Sequence, residues 1–182
     1  MKRWIEHGAD RQMAKQLIAF TVNGRRTEVA VEPRWTLLEM VREELRFTGS
    51  KEGCGTGDCG ACSMILRGPQ DERGRLITSC LMLAVQADGC EVTTIEGLAT
   101  NGNLHPVQQA FIDAGGVQCG FCTPGMIMAA KSLLDRNPSP TLEEVREGLA
   151  GNLCRCTGYA KIYEAVMQAA QQEQGARTKE PG

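Results

Sequence analysis

The chain has 182 residues, room for one or two small domains, and its 42 % hydrophobic and 23 % charged make-up is that of a globular protein, not a disordered or fibrous one. Twenty Lys and Arg against 22 Asp and Glu give a net charge of −2, and 4 % of residues are aromatic. A general nucleic-acid binder, which needs basic surface and stacking platforms, is thereby excluded, as is a membrane span, since no apolar run reaches about 18 residues.

Residues 1–15 (MKRWIEHGADRQMAK) are polar and charged, without the apolar core of a signal peptide, and read as an N-terminal extension. The mature protein is expected to start near Met1 and to meet the reducing cytoplasm. Nine cysteines are then more readily metal ligands than disulfides. Residues 17–22 (LIAFTV) predict a strand, and Asn23-Gly24 suits a type I′ hairpin turn. Thr27, Val29 and Val31 alternate with polar or small neighbours, as a half-buried returning strand requires. Thr36-Leu37-Leu38-Glu39 has capping-box spacing and opens a helix to about Leu45, with Leu37, Leu38, Val41 and Leu45 on one face. Further strands are expected near 62–67, 76–80 and 90–95, completing a small mixed sheet packed on a helix.

The second half reads as helices. Pro106 starts one that ends at Gly115-Gly116. Thr123-Pro124 predicts an N-cap followed by proline at the first helical position, leading into Ile127, Ala130 and Leu134. Thr141 opens another capping box, with Leu142, Val145 and Leu149 on one stripe. Tyr159, Ile162, Tyr163, Val166 and Ala170 form the last stripe. Four short helices with brief connections point to a compact bundle. Residues 171–182 show no apolar pattern and are expected to form a mobile tail.

Cys54, Cys59, Cys62 and Cys80 are spaced C-x4-C-x2-C-x17-C, and the spacing of the first three matches the plant-type [2Fe–2S] arrangement. Four ligands must converge on a small anionic group. Gly53, Gly55, Gly57 and Gly60 let the loop curl through left-handed conformations and turn bare N–H groups inward toward sulfur. A zinc site needs neither the x4 gap nor this glycine density, and disulfides suit neither the compartment nor the crowding. The string 55–60 also matches G-x-G-x-x-G, but no strand–loop–helix unit surrounds it.

Cys119, Cys122, Cys154 and Cys156 give C-x2-C-x31-C-x1-C, a four-thiolate site that spacing alone leaves open between [2Fe–2S], [4Fe–4S] and zinc. Each pair precedes an expected helix start, where N–H groups and the positive dipole end favour negative charge. Cys90 is left over and is expected to be a small buried hydrophobe. His105, before Pro106, is expected to organise a helix start.

GCGTGDCGAC at 53–62, Cys80, QCGFCTPG at 118–125 and GNLCRCTGY at 151–159 together resemble the small iron–sulfur subunit, or N-terminal iron–sulfur region, of the molybdenum hydroxylase (xanthine oxidase) family. NGR at 23–25, LHPVQQAF at 104–111 and PT at 140–141 agree, and the resemblance spans about residues 16–170. It implies an α+β chain: a β-grasp plant-ferredoxin-like domain (16–95) followed by a four-helix bundle (96–170), each with one [2Fe–2S] cluster. Cys119, Cys122, Cys154 and Cys156 would hold the cluster nearer a molybdopterin cofactor, and Cys54, Cys59, Cys62 and Cys80 the one facing FAD. Gln118 matches the position whose side chain reaches toward the pterin, the alternative being a buried glutamine at a helix start. The implied partners are a large molybdopterin-binding subunit and a medium FAD-binding subunit, in a dimer of heterotrimers. The implied function is electron transfer between the molybdenum centre and FAD, with no turnover of an organic substrate by the chain alone. A freestanding two-cluster ferredoxin-like carrier and a zinc-stabilised interaction module are the alternative readings.

Overall fold

A computed structural model describes residues 14–71 and 73–177; the expected extension lies outside them except for its last two residues. Strands β1 (Gln16–Val22) and β2 (Arg25–Val31) form the hairpin, in register from Gln16↔Val31 to Val22↔Arg25. Asn23 and Gly24 turn it at φ 50° and 76°, the left-handed pair that a type I′ turn requires. The capping box forms as expected: Thr36 Oγ1 accepts from Glu39 N at 3.1 Å, and the Glu39 carboxylate accepts from Thr36 N at 2.7 Å. Helix α1 (Leu37–Glu39) then widens into a π-type turn over Met40–Glu44, closed by Leu45 N–H to Met40 O at 3.2 Å. That widening buries Met40 beside Leu37, Leu38 and Val41 and leaves Leu45 only partly covered.

Strands β3 (Ser63–Arg67), β4 (Arg75–Thr78) and β5 (Glu91–Thr93) complete a five-stranded sheet ordered β2-β1-β5-β3-β4. β1 and β5 run parallel and the other pairs antiparallel. β4 stops at Thr78, so Ser79 and Cys80 lie in the turn beyond it, short of the expected strand end. In β3, Met64 and Leu66 face the core under α1, whereas Ile65 packs against the helical half. The run Met64-Ile65-Leu66 is apolar throughout because both faces of this strand are covered.

Helices α2 (Pro106–Asp113), α3 (Thr123–Arg136), α4 (Leu142–Gly148) and α5 (Ala160–Arg177) follow. His105 caps α2 as expected, its Nδ1 accepting from Val107 N at 3.3 Å. Burial, with help from the Lys131 charge, holds the imidazole below its ordinary pKa, which keeps that nitrogen free to accept. The α3 cap falls on Cys122, not Thr123, so Thr123 and Pro124 are already helical. Leu142 is exposed and leaves the α4 stripe to Val145 and Leu149. Residues 171–177, expected in a mobile tail, continue α5. Gln and Glu propagate a helix once it is nucleated, and Gln174 Nε2 anchors this turn to Pro138 O and Ser139 Oγ, each at 2.8 Å. Among the described residues no helix is long and apolar enough to cross a membrane.

Two buried apolar clusters result, one between the sheet and α1 and one among α2, α3, α4 and α5. They meet where α3 crosses β3, with Gly125 packed against the backbone at Gly60. A Cβ on Gly125 would overlap the Gly60 carbonyl oxygen and sit 3.1 Å from Ala61 Cα. Since both obstacles are backbone, Gly125→Ala should lower stability by about 1–3 kcal/mol, the cost of overpacking. Gly68→Ala, with open space around its Cβ, should have little effect. Thermal unfolding of the two variants checks this; equal midpoints would mean that the α3–β3 contact is loose.

Candidate metal centres

The loop between α1 and β3 carries Cys54, Cys59 and Cys62, and the turn after β4 brings Cys80 back to them: Cys62 and Cys80 Sγ lie 3.4 Å apart. Gly55, Gly57 and Gly60 take the left-handed conformations expected of them (φ 67°, 85° and 66°). Gly53 does not; its Cβ would lie 2.7 Å from Cys59 Sγ, so the sulfur itself demands glycine there. Thr56 N–H points at Cys54 Sγ from 3.4 Å. The Thr56 side chain and N–H, with Cys59 alongside, hold the Cys54 thiol down to about 6. Burial and the neighbouring Cys62 push the Cys80 thiol up to about 11.

The second quartet assembles between the two helix starts. Cys119 and Cys156 Sγ are 3.5 Å apart, and Cys122 contacts Cys154. Burial and that contact push Cys122 up to about 12. Burial also raises Cys154, but the Thr157 hydroxyl, 3.2 Å from its sulfur, and the Thr157 and Cys156 N–H groups outweigh it and bring the thiol to about 7. Tyr159, expected in the helix, precedes it at φ 70°. There its hydroxyl accepts from Cys154 N at 2.9 Å and its ring stacks on Tyr163.

All eight expected cysteines thus fall into two groups of four, and each group divides into contact pairs: Cys54 with Cys59, Cys62 with Cys80, Cys119 with Cys156, and Cys122 with Cys154. Among the described residues no three His, Cys, Asp or Glu side chains gather around a single ion position. Two thiolates on one tetrahedral metal with bonds of about 2.3 Å stand roughly 3.8 Å apart, close to the 3.4 and 3.5 Å of Cys62/Cys80 and Cys119/Cys156. The donor set therefore fits a group that offers one metal per thiol pair. Thiolates this close repel unless positive charge lies between them, which adds to burial in raising Cys80 and Cys122. Cys54, Cys119 and Cys156 are exposed, and Gln118 beside Cys119 is exposed too, so it is not a buried helix-start residue. Cys90 stands apart from both groups, half-buried against the sheet core, its Sγ 3.7 Å from Gln86 O.

Sequence reasoning passed over the residues that brace the thiols. Thr56 and Thr157 follow the sulfurs they brace, Cys54 and Cys154, by two residues and three, a signal visible in the sequence. Asn152 had no such signal, because its partners Gly60 and Ser63 lie 92 and 89 residues away.

Residues 20–85 match the family described as a 2Fe-2S iron-sulfur cluster binding domain, and residues 94–167 match a [2Fe-2S] binding domain. The nicotinate dehydrogenase small FeS subunit of Eubacterium barkeri is 48 % identical over 87 % of this chain and 98 % of its own length. The nicotine 6-hydroxylase small subunit of Paenarthrobacter nicotinovorans is 51 % identical over 81 % of this chain and 86 % of its own. In the crystal structure of quinoline 2-oxidoreductase from Pseudomonas putida 86, one chain superposes with a TM-score of 0.83 at 42 % identity, covering 93 % of this chain and 100 % of that one. These likenesses span both thiol quartets, and the chain belongs to the molybdenum hydroxylase (xanthine oxidase) family as one of its small iron–sulfur subunits, with two [2Fe–2S] binding domains.

Proposed function

We propose that the chain relays electrons between a molybdopterin centre on a large partner and FAD on a medium partner. One [2Fe–2S] cluster is held by Cys54, Cys59, Cys62 and Cys80, the other by Cys119, Cys122, Cys154 and Cys156. The observation that carries this reading is the pairing of thiols within each quartet, two pairs for two metals. When bound, such clusters supply one-electron redox chemistry. The chain's own residues do the rest. Thr56 and Thr157 donate to sulfur, which favours the anionic ligand; the helix starts at Thr123 and Ala160 offer positive dipole ends.

Each quartet has exposed apolar neighbours suited to a docked subunit. Leu81 lies against Gly57 of the first loop, while Val117, Phe121 and Leu153 flank the second quartet. We assign the second face to the molybdopterin subunit, with the exposed Gln118 reaching toward the pterin, and the first to the FAD subunit. The division into a β-grasp domain over 16–95 and a four-helix bundle over 96–170 is supported by the two apolar clusters. A dimer of heterotrimers in the cytoplasm completes the reading.

Affinity purification of the chain from its native cells should bring down molybdenum- and flavin-containing subunits, with about four irons per small chain, about two for each cluster. A lone soluble monomer would favour a freestanding carrier, and a colourless protein holding zinc would favour an interaction module. Paramagnetic resonance after reduction should resolve two centres, and Cys59→Ser should perturb one and largely spare the other; loss of a single shared signal would mean that the ligands are wrongly grouped. Stripping the iron leaves the Cys62/Cys80 and Cys119/Cys156 contacts without counter-charge, so the thermal midpoint of the stripped protein should fall. An unchanged midpoint would argue that the metal contributes nothing to the fold.

A further inference from the structure

Two consecutive carbonyls of the first ligand loop are gripped by two consecutive residues that lead into the second. Leu153 N–H donates to Cys59 O at 2.9 Å, and Asn152 Nδ2 donates to Gly60 O at 2.9 Å. Cys59 belongs to one quartet, and Leu153 is bonded to Cys154 of the other. A single hydrogen bond therefore joins the backbones of two ligand segments that lie far apart in sequence. Electronic coupling decays much more slowly through covalent and hydrogen bonds than across van der Waals gaps, so the length of this contact governs how well the quartets communicate.

Leu153 is itself 54 % exposed, whereas Asn152 is 4 % exposed. The Asn152 amide also reaches Ser63 Oγ at 3.3 Å, and Ser63 donates to the same Gly60 oxygen through its hydroxyl at 2.7 Å and its N–H at 3.1 Å. A Cβ on Gly60 would come within 2.5 Å of Asn152 Nδ2, so the amide occupies the space that a side chain would need. The Gly60–Ala61 peptide is thus clamped from one side by Ser63 of its own strand and from the other by Asn152, next to the Cys59 carbonyl that Leu153 holds.

We propose that Asn152 is a positioning residue for electron exchange between the two centres: by holding the Gly60 carbonyl, its buried amide fixes the Cys59 O···H–N Leu153 contact that joins the two thiol quartets. The proposal rests on the relay reading above. In the exchange one electron leaves the centre at Cys119, Cys122, Cys154 and Cys156, which is oxidised, and reduces the centre at Cys54, Cys59, Cys62 and Cys80. No bond forms or breaks and no proton moves.

The test uses the purified complex carrying Asn152→Ala, with three readouts: iron per chain, the magnetic splitting between the two reduced centres, and the rate of electron exchange between them after a flash or rapid-mixing reduction. Expected are wild-type iron content, unchanged spectra of each isolated centre, a narrowed splitting and a several-fold lower exchange rate, because the hydrogen-bonded route between the quartets is lengthened. Full iron with wild-type splitting and rate would overturn the proposal. If Asn152→Ala yields no loaded complex, Ser63→Ala decides on the same readouts: it removes the brace from the same carbonyl, and an unchanged rate there would equally overturn it. A wild-type complex with fewer than two centres would instead sink the relay reading, a failure seen before any variant is made.

Discussion

The two peptides on either side of Gly60 are the joint on which the two halves of this chain depend. Gly60 O receives three donors, one from Asn152 and two from Ser63, while the neighbouring Cys59 O receives Leu153 N–H. Polar groups buried this deeply are costly to leave unmet, about 1–3 kcal/mol each, so the joint is held by the penalty of opening it as much as by the bonds themselves. Glycine at 60 and at 125 lets the two backbones come this close. The sheet half and the helical half each have their own apolar core, and it is this small polar contact that sets the spacing between their thiol quartets.

Charge explains much of the rest. Each quartet brings four potential thiolates together, an arrangement that repels itself in the absence of metal. The chain spreads the burden: Cys54 and Cys154 are favoured as thiolates by threonine donors, while partial burial and a neighbouring sulfur push Cys80 and Cys122 toward the neutral thiol. One donor-braced sulfur and one partly buried, reluctant sulfur in each group is a repeated solution on two unrelated local folds, a glycine-rich loop and a pair of helix starts. Metal charge at the centre reconciles them. The exposure of Cys54, Cys119 and Cys156 keeps one side of each group near the surface, as a protein that hands electrons to neighbours requires.

Much of this was legible before any coordinates. The Asn23-Gly24 turn, the Thr36 and Thr141 capping boxes and the His105 cap all formed as read, because each is decided by residues within three positions of one another. The misreadings share a cause. Leu142 fits a helical stripe yet faces out, and the 171–177 segment lacks an apolar pattern yet is helical through its anchor on Pro138 and Ser139. Tyr159 fits the α5 stripe but sits ahead of the helix at φ 70°, where its hydroxyl meets Cys154. In each case the local apolar pattern could not say what the segment would pack against.

The sequence by itself determined which eight cysteines are set apart, how they divide between the halves, and the turns and caps around them, since ligand spacing and capping chemistry act over a few residues. Only the tertiary structure decided which sulfurs touch, which are exposed, and that Asn152 and Leu153 grip the loop of Cys59. The grip of Asn152 joins residues 92 and 89 positions apart, and it exists only once β3 and α3 have packed and brought Gly60 against Gly125.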